Sequence, residues 1–374
     1  MQAVCDLLPG CGDHGGVRCG MEERDLMKGN EALGEAAIRS GCRYYFGYPI
    51  TPQSELPEYL ARHLPEAGGV FIQGESEIAS VNMVMGAAST GARAMTSSAG
   101  LGIALKSEAI AYMAGMDLPA VIVNVQRAGP GLGGIQPSQS DYFQATRATG
   151  NGDFYLLVFA PDSVQEMADL VSTAFNKAEQ YRMPAMILAD GAIGQMMEPV
   201  SFDHIRIERH EKPWALTGTE NARKHNVVNS MNLDPAELEK ENLARFARYE
   251  QVKENEVLYE SYMLDDAEVA VVAYGISARI AKTAIRAARG KGIRAGLLRP
   301  ITLWPFPEKQ LRELSSRVKT FVCAELSMGQ MIDDVKLAIR CARPVHLVSR
   351  VGGMLLKPEE ILQAIERAKG ECDG

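Results

Sequence analysis

The stretch Ala92-Arg-Ala-Met-Thr-Ser-Ser-Ala-Gly-Leu-Gly-Ile-Ala-Leu-Lys-Ser-Glu-Ala-Ile-Ala-Tyr-Met-Ala-Gly-Met-Asp-Leu-Pro-Ala-Val-Ile-Val-Asn-Val125 decides the fold. Residues 92–96 read as a strand, 103–115 as a helix of small and apolar residues, and 120–125 as a strand. A near-continuous apolar run bounded by turn residues marks a strand buried on both faces, which is the habit of parallel sheets. Strand, helix and strand over short connections make a βαβ unit.

The alternation extends in both directions. Upstream, 30–40 is helical in period, 44–49 strand-like, 55–63 helical, 69–74 extended and 78–90 a small-residue helix. Downstream, a long polar loop precedes a strand at 154–160, and Ser163 with Glu166 forms a capping box opening a helix to residue 180, before a strand at 184–188. Residues 27–200 are therefore expected to form a doubly wound, parallel-sheet α/β domain.

From 201 to 266 the pattern dissolves into charge, which predicts a connector carrying a helix over 235–262. A second, smaller α/β unit is expected over 267–374. Its strands read at 268–274, 295–298, 320–324 and 345–348, and its helices at 277–289, 307–314, 329–340 and 358–369. Residues 1–26 show no pattern and read as a disordered extension or a mis-annotated start, with translation beginning at Met21.

The 374 residues carry 39 Lys+Arg against 47 Asp+Glu, a net charge of −8. With the basic residues scattered, nothing resembles a phosphate-neutralising stripe, which excludes nucleic acid. The longest apolar run, 118–125, is too short to span a bilayer, so a soluble, cytoplasmic chain is expected. Seven cysteines without a CxxC pair read as reduced thiols. Cys5, Cys11, Cys19 and His14 have neither zinc nor iron–sulfur spacing, and no metal site is assigned.

In an open parallel sheet, ligands bind beyond the carboxyl ends of the strands. That rule selects Thr51, the carboxylate pair Glu75 and Glu77, Ser97 and Ser98, and Arg127. An arginine suits a bidentate grip on a carboxylate, a threonine adds a hydrogen bond, and a desolvated carboxylate can trade a proton. Each also has a plain structural reading. Thr-Pro is a common turn opener, Glu77 complements a helix N-terminus, and Arg127 suits a surface salt bridge. Gly129-Pro-Gly-Leu-Gly-Gly134 matches GxGxxG after a strand, but no helix opens at its last glycine and Pro137 interrupts. A substrate-site loop is expected there rather than a dinucleotide site.

Three first-domain stretches, Gly47-Tyr-Pro-Ile-Thr-Pro-Gln53, Gln73-Gly-Glu-Ser-Glu-Ile-Ala-Ser80 and Val125-Gln-Arg-Ala-Gly-Pro-Gly-Leu-Gly-Gly-Ile-Gln-Pro-Ser-Gln139, resemble the α subunit of 2-oxoacid:ferredoxin oxidoreductases. Val272-Ala-Tyr-Gly-Ile-Ser-Ala-Arg279 and Leu298-Arg-Pro-Ile-Thr-Leu-Trp-Pro-Phe-Pro307 carry the same likeness. Gln53, the 131–139 stretch and Gly194-Gln-Met-Met-Glu-Pro-Val200 look closest to the branched-chain type acting on 2-oxoisovalerate.

The resemblance implies a thiamine diphosphate pyrimidine-binding domain followed by a transketolase C-terminal-like domain. It places Glu77 rather than Glu75 on the ring nitrogen of the aminopyrimidine, promoting the imino form that deprotonates the thiazolium carbon. Ile50 and Thr51 would lie beside the cofactor, and Thr51 and Arg127 would hold the substrate carboxylate. Ser97, Ser98, Gly129, Gly131, Gly133 and Gly134 would line the active-site loops. The chain has no GDG-and-Asn motif for magnesium and diphosphate and no cluster-binding cysteine run, so the resemblance assigns Mg and [4Fe–4S] clusters to partners. A β subunit, γ and ferredoxin-like δ subunits, ferredoxin, CoA and a 2-oxoacid are the implied partners. The alternatives are the same complex acting on 2-oxoglutarate or pyruvate, or a non-catalytic scaffold. Ala99 stands where relatives usually have Pro, and Asn151 where they usually have His.

Overall fold

The computed structural model describes residues 24–147 and 149–373. The Cys5, Cys11, Cys19 and His14 opening and the start at Met21 lie outside them. The first half runs β1 (Asp25–Lys28), α1 (Gly29–Arg39), β2 (Tyr44–Gly47), α2 (Glu55–Glu66), β3 (Val70–Gln73), α3 (Glu77–Ser89), β4 (Ala94–Ser98), α4 (Gly100–Gly115) and β5 (Val121–Gln126). It continues with α5 (Tyr142–Thr146), β6 (Leu157–Phe159), α6 (Val164–Tyr181), β7 (Ala185–Asp190), α7 (Gly191–Gln195) and β8 (Met197–Val200). Then follow α8 (Pro235–Asn255), β9 (Tyr259–Tyr262), β10 (Val269–Val272), α9 (Gly275–Gly290), β11 (Ala295–Pro300) and β12 (Thr302–Trp304). The chain ends with α10 (Glu308–Ser315), β13 (Thr320–Glu325), α11 (Met331–Ala338), β14 (Val345–Ser349) and α12 (Pro358–Asp373).

A seven-stranded sheet has the order β12-β6-β7-β5-β4-β2-β3, and a five-stranded sheet the order β14-β13-β10-β11-β9. The pairs of the first are parallel except β12 against β6, and those of the second except β9 against β11. Every residue of β4, β5 and β7 is buried, as parallel strands covered by helices on both faces require. β2 leads to β3 on one side while β4 pairs on its other side, so the winding direction reverses beside β2. That reversal opens a crevice at the strands' carboxyl ends.

Three expectations are corrected. Asp25 and Leu26, read as the end of a patternless extension, pair with Val200 and Pro199 as part of β1. The helix expected over 235–262 stops at Asn255, because Tyr-Glu-Ser-Tyr alternates faces and pairs with β11 as β9. The strand expected at 92–96 is shifted to Ala94–Ser98, so Ser97 and Ser98 lie in the strand and are fully buried rather than following it. β12 has no local signal; Thr302 and Trp304 find their partner in β6, more than a hundred residues upstream.

Polar side chains join the sheets. Arg299, 4% exposed, donates to both Glu166 oxygens at 2.6 and 2.7 Å and to Glu260 at 2.8 Å. Buried Gln139 donates to the Tyr274 carbonyl at 2.8 Å and accepts from Ser277 Oγ and the Leu326 N–H. Asp190 caps α7 and accepts from the Ile276 N–H at 2.9 Å. Among the described residues no helix is long and apolar enough to cross a membrane.

Candidate functional site

The carboxyl ends of β2, β3, β4 and β5 present the residues selected from the sequence. After β3, the chain turns through Glu75 and Ser76 into α3. Ser76 caps that helix, its Oγ accepting from the Ala79 N–H at 3.1 Å, and this fixes the phase of the first turn. Glu75 is exposed, whereas Glu77 is buried, with 7% of its surface accessible. Its place in the first turn of α3 also complements the helix N-terminus.

The Glu77 carboxylate lies against the turn from β4 into α4. A Cβ at Gly102 would overlap Ser98 Oγ and come within 2.8 Å of Glu77 Oε1, so only glycine leaves this wall free. Ser98 Oγ is buried and has no hydrogen-bond partner. The neighbouring Ser97 is spent on a 2.6 Å hydrogen bond with Tyr45. A shielded carboxylate packed beside an unsatisfied hydroxyl, with Gly102 giving both the room to approach, suits the edge of a flat ring that both donates and accepts hydrogen bonds, as an aminopyrimidine does.

Arg127 follows β5 and is 9% exposed; its Nη1 donates to the Thr51 carbonyl at 3.1 Å. The surface salt-bridge reading does not hold, since Arg127 is buried and forms no ion pair among the described residues. Thr51 itself is exposed, and Ile50 is half-buried at the base of the same turn.

An isolated bridge between Arg127 and Pro137, with the Ala128 N–H on the Gln136 carbonyl at 2.9 Å, closes the glycine-rich segment into an exposed loop. No helix opens at Gly134, whose N–H returns to the Ala128 carbonyl at 2.9 Å. Arg127, Gly129 and Gly131 line a cleft of about 640 Å³ whose far wall is Leu326, Met328 and Gly352 of the second half. The structure thus brings Thr51 to Arg127, and Glu77 to Ser98. Glu77 and Thr51 do not line the cleft that Arg127 faces.

Three groups escape a reading by sequence. Asp141 lines the cleft, its carboxyl pushed up by burial against the pull of Asn124, the Gly100 N–H and the Arg127 charge. Asn124 donates to it at 3.1 Å, interrupting the apolar run 121–125, and that interruption was the available signal. Lys106 is fully buried in α4. Ala99 is buried at the α4 N-cap, and Asn151 is exposed.

Residues 35–263 match the family described as pyruvate flavodoxin/ferredoxin oxidoreductase, thiamine diphosphate-binding, and residues 267–361 match pyruvate:ferredoxin oxidoreductase core domain II. The ketoisovalerate oxidoreductase subunit VorB of Methanothermobacter marburgensis is 50% identical over 93% of this chain and 99% of its own. The 2-oxoglutarate synthase subunit KorA of Archaeoglobus fulgidus is 39% identical over 92% of this chain and 99% of its own. Among solved structures, the 2-oxoglutarate:ferredoxin oxidoreductase from Magnetococcus marinus, with 2-oxoglutarate, coenzyme A and succinyl-CoA bound, superposes with a TM-score of 0.82 at 27% identity. That match covers 93% of this chain and 65% of the other. A split-gene transketolase, at 16% identity and a TM-score of 0.58, shares the fold.

Proposed function

The chain belongs to the 2-oxoacid:ferredoxin oxidoreductase family, and from that premise we propose that it holds the aminopyrimidine of thiamine diphosphate and the substrate in an enzyme oxidising 2-oxoisovalerate with CoA. The observation that carries the site assignment is the contrast after β3: Glu75 faces water, while Glu77 is enclosed with its carboxylate beside Gly102 and Ser98. When bound, the cofactor supplies the carbanion-stabilising chemistry that no side chain offers.

The chain's own residues then bind and position. Glu77 holds the proton at the ring nitrogen, and Ser98 offers the ring a hydroxyl. Arg127, braced by the Thr51 carbonyl, grips the 2-oxoacid carboxylate, Thr51 reaches it from the adjoining turn as the substrate settles, and the loop through Gly129, Gly131, Gly133 and Gly134 shields it from water. Support for the branched-chain acid comes from the VorB relatives, at 50% and 48% identity, against 39% or less for the KorA relatives.

In this reading a β subunit carries the diphosphate and its Mg, and γ and δ subunits carry the [4Fe–4S] clusters. The exposed apolar side chains of Ile72, Ile78, Leu101 and Leu105, around α3 and α4, form the face such a β subunit covers. Ferredoxin docks on another chain, because an acidic carrier gains nothing from a surface of net charge −8. The complex works in the cytoplasm.

The test is CoA-dependent viologen reduction by the complex co-expressed with its neighbouring genes. The expected order places 2-oxoisovalerate ahead of 2-oxoglutarate and pyruvate; a reversed order transfers the assignment to the faster acid. Glu77→Gln is expected to lower kcat about 100-fold or more while the complex still assembles. A rate equal to wild type would refute the role of Glu77 and favour the scaffold reading.

A further inference from the structure

Lys106 is the only basic residue in α4 and is buried from solvent altogether. Its Nζ donates to Thr96 Oγ1 at 2.7 Å. A lysine enclosed with one hydroxyl is expensive, because desolvation of an ammonium is repaid only by a nearby opposite charge. The packing brings one such charge, Glu77, onto the same wall, with no direct hydrogen bond or ion pair between the two side chains. Lys106 stands four residues after Gly102, so both face the same way from α4. Thr96 and Ser98 are two apart on β4 and share one face of the sheet. Glu77 reaches the Gly102–Ser98 end of this wall, and Lys106 reaches its Thr96 end, one helical turn further along.

We propose that Lys106 is a positioning residue for the cofactor ring: it is the interior counter-charge that holds the Glu77 carboxylate against the Ser98–Gly102 wall. The proposal rests on the reading of Glu77 given above. Burial pushes the Lys106 ammonium down to about 8, and the Glu77 charge opposes that fall, so the side chain is still mainly cationic at neutral pH. Glu77 is the charged group acting on it across the α3–α4 packing. A ring brought to Glu77 therefore meets a carboxylate biased toward the wall by the field of a fixed ammonium, and less freedom remains to be lost on binding.

The test is a double-mutant cycle of Glu77→Gln and Lys106→Met on the co-expressed complex, methionine keeping the volume without the charge. Two quantities are read: melting temperature without cofactor, and thiamine diphosphate affinity by titration calorimetry. In the wild-type background Lys106→Met is expected to lower the melting temperature, because it strands the carboxylate. In the Glu77→Gln background the same change should raise it or leave it unchanged, because a lone ammonium is removed.

For cofactor affinity the expected loss is about 10-fold in the first background and under about twofold in the second, with the KM for the 2-oxoacid unchanged. The same losses in both backgrounds would mean that Lys106 acts independently of Glu77 and overturn the proposal. So would no loss in either. If Glu77→Gln alone leaves affinity and turnover at wild-type values, the reading of Glu77 itself fails, and that arm separates the two failures.

Discussion

A guanidinium has five N–H donors, and among the described residues the one side-chain hydrogen bond given by Arg127 is to the Thr51 carbonyl. The rest of its fork remains for a ligand in the cleft it lines. Arg127→Ala is therefore expected to raise the KM for the 2-oxoacid by roughly 10- to 100-fold, the usual worth of a charge-assisted hydrogen bond, while kcat changes little. Steady-state kinetics on the assembled complex check this; a fall in melting temperature with KM unmoved would mean that Arg127 only braces the Thr51 turn. The positions of the candidate residues at this scale were legible, because Thr51, Glu77 and Arg127 each follow a strand. Strand-end position alone offered Glu75 and Glu77 alike; the family resemblance selected Glu77, and the phase of α3 set by the Ser76 cap buries that one and leaves Glu75 exposed. Lys106 was not legible. A single lysine among small residues ordinarily extends its ammonium to solvent, and only packing of α4 onto β4 shows that this one does not.

At the level of elements, the glycine-rich loop after β5 depends on Gly133. Its φ is +56°, and a Cβ there would collide with the Ala128 carbonyl, which receives the Gly134 N–H. Gly133→Ala is expected to open the Arg127–Pro137 closure, raising the substrate KM several-fold. Limited proteolysis should then cut faster within 128–136, with the melting temperature nearly unchanged because the loop is exposed. The sequence pattern identified this segment as a loop because no helix could follow Gly134. It also located β5, β7, β10 and β13 closely, since buried parallel strands are written as near-continuous apolar runs. It failed at β9 and β12, whose partners are remote: Tyr259–Tyr262 looks like the tail of a charged helix, and Thr302–Trp304 like a proline-bounded turn. Pairing with β11 and β6 overrides those local preferences.

Across the molecule, the two sheets meet through buried polar groups set into one continuous apolar core. Burial pushes the Asp190 carboxyl up to about 6, against the pull of its three backbone donors and Arg279. A carboxyl raised on folding contributes stability that is complete below its unfolded value and lost as pH rises through its folded one. The ionised form at neutral pH thus costs roughly 3 kcal/mol relative to the protonated one, from a rise of 3.8 to about 6. In melting curves, wild type should lose stability relative to Asp190→Asn between about pH 4 and 6 and run parallel to it above pH 7. Parallel curves throughout would remove Asp190 from the junction's proton balance. The strand β12 carries a different implication, for how such a gene can be rearranged. It comes from the segment matching the second family and closes the edge of the sheet built by the first. A scission between the two matched segments would strip β6 of that neighbour and leave an adhesive edge. The boundary at which domains are conventionally exchanged is, in this chain, a place where two halves share one sheet and must be inherited together.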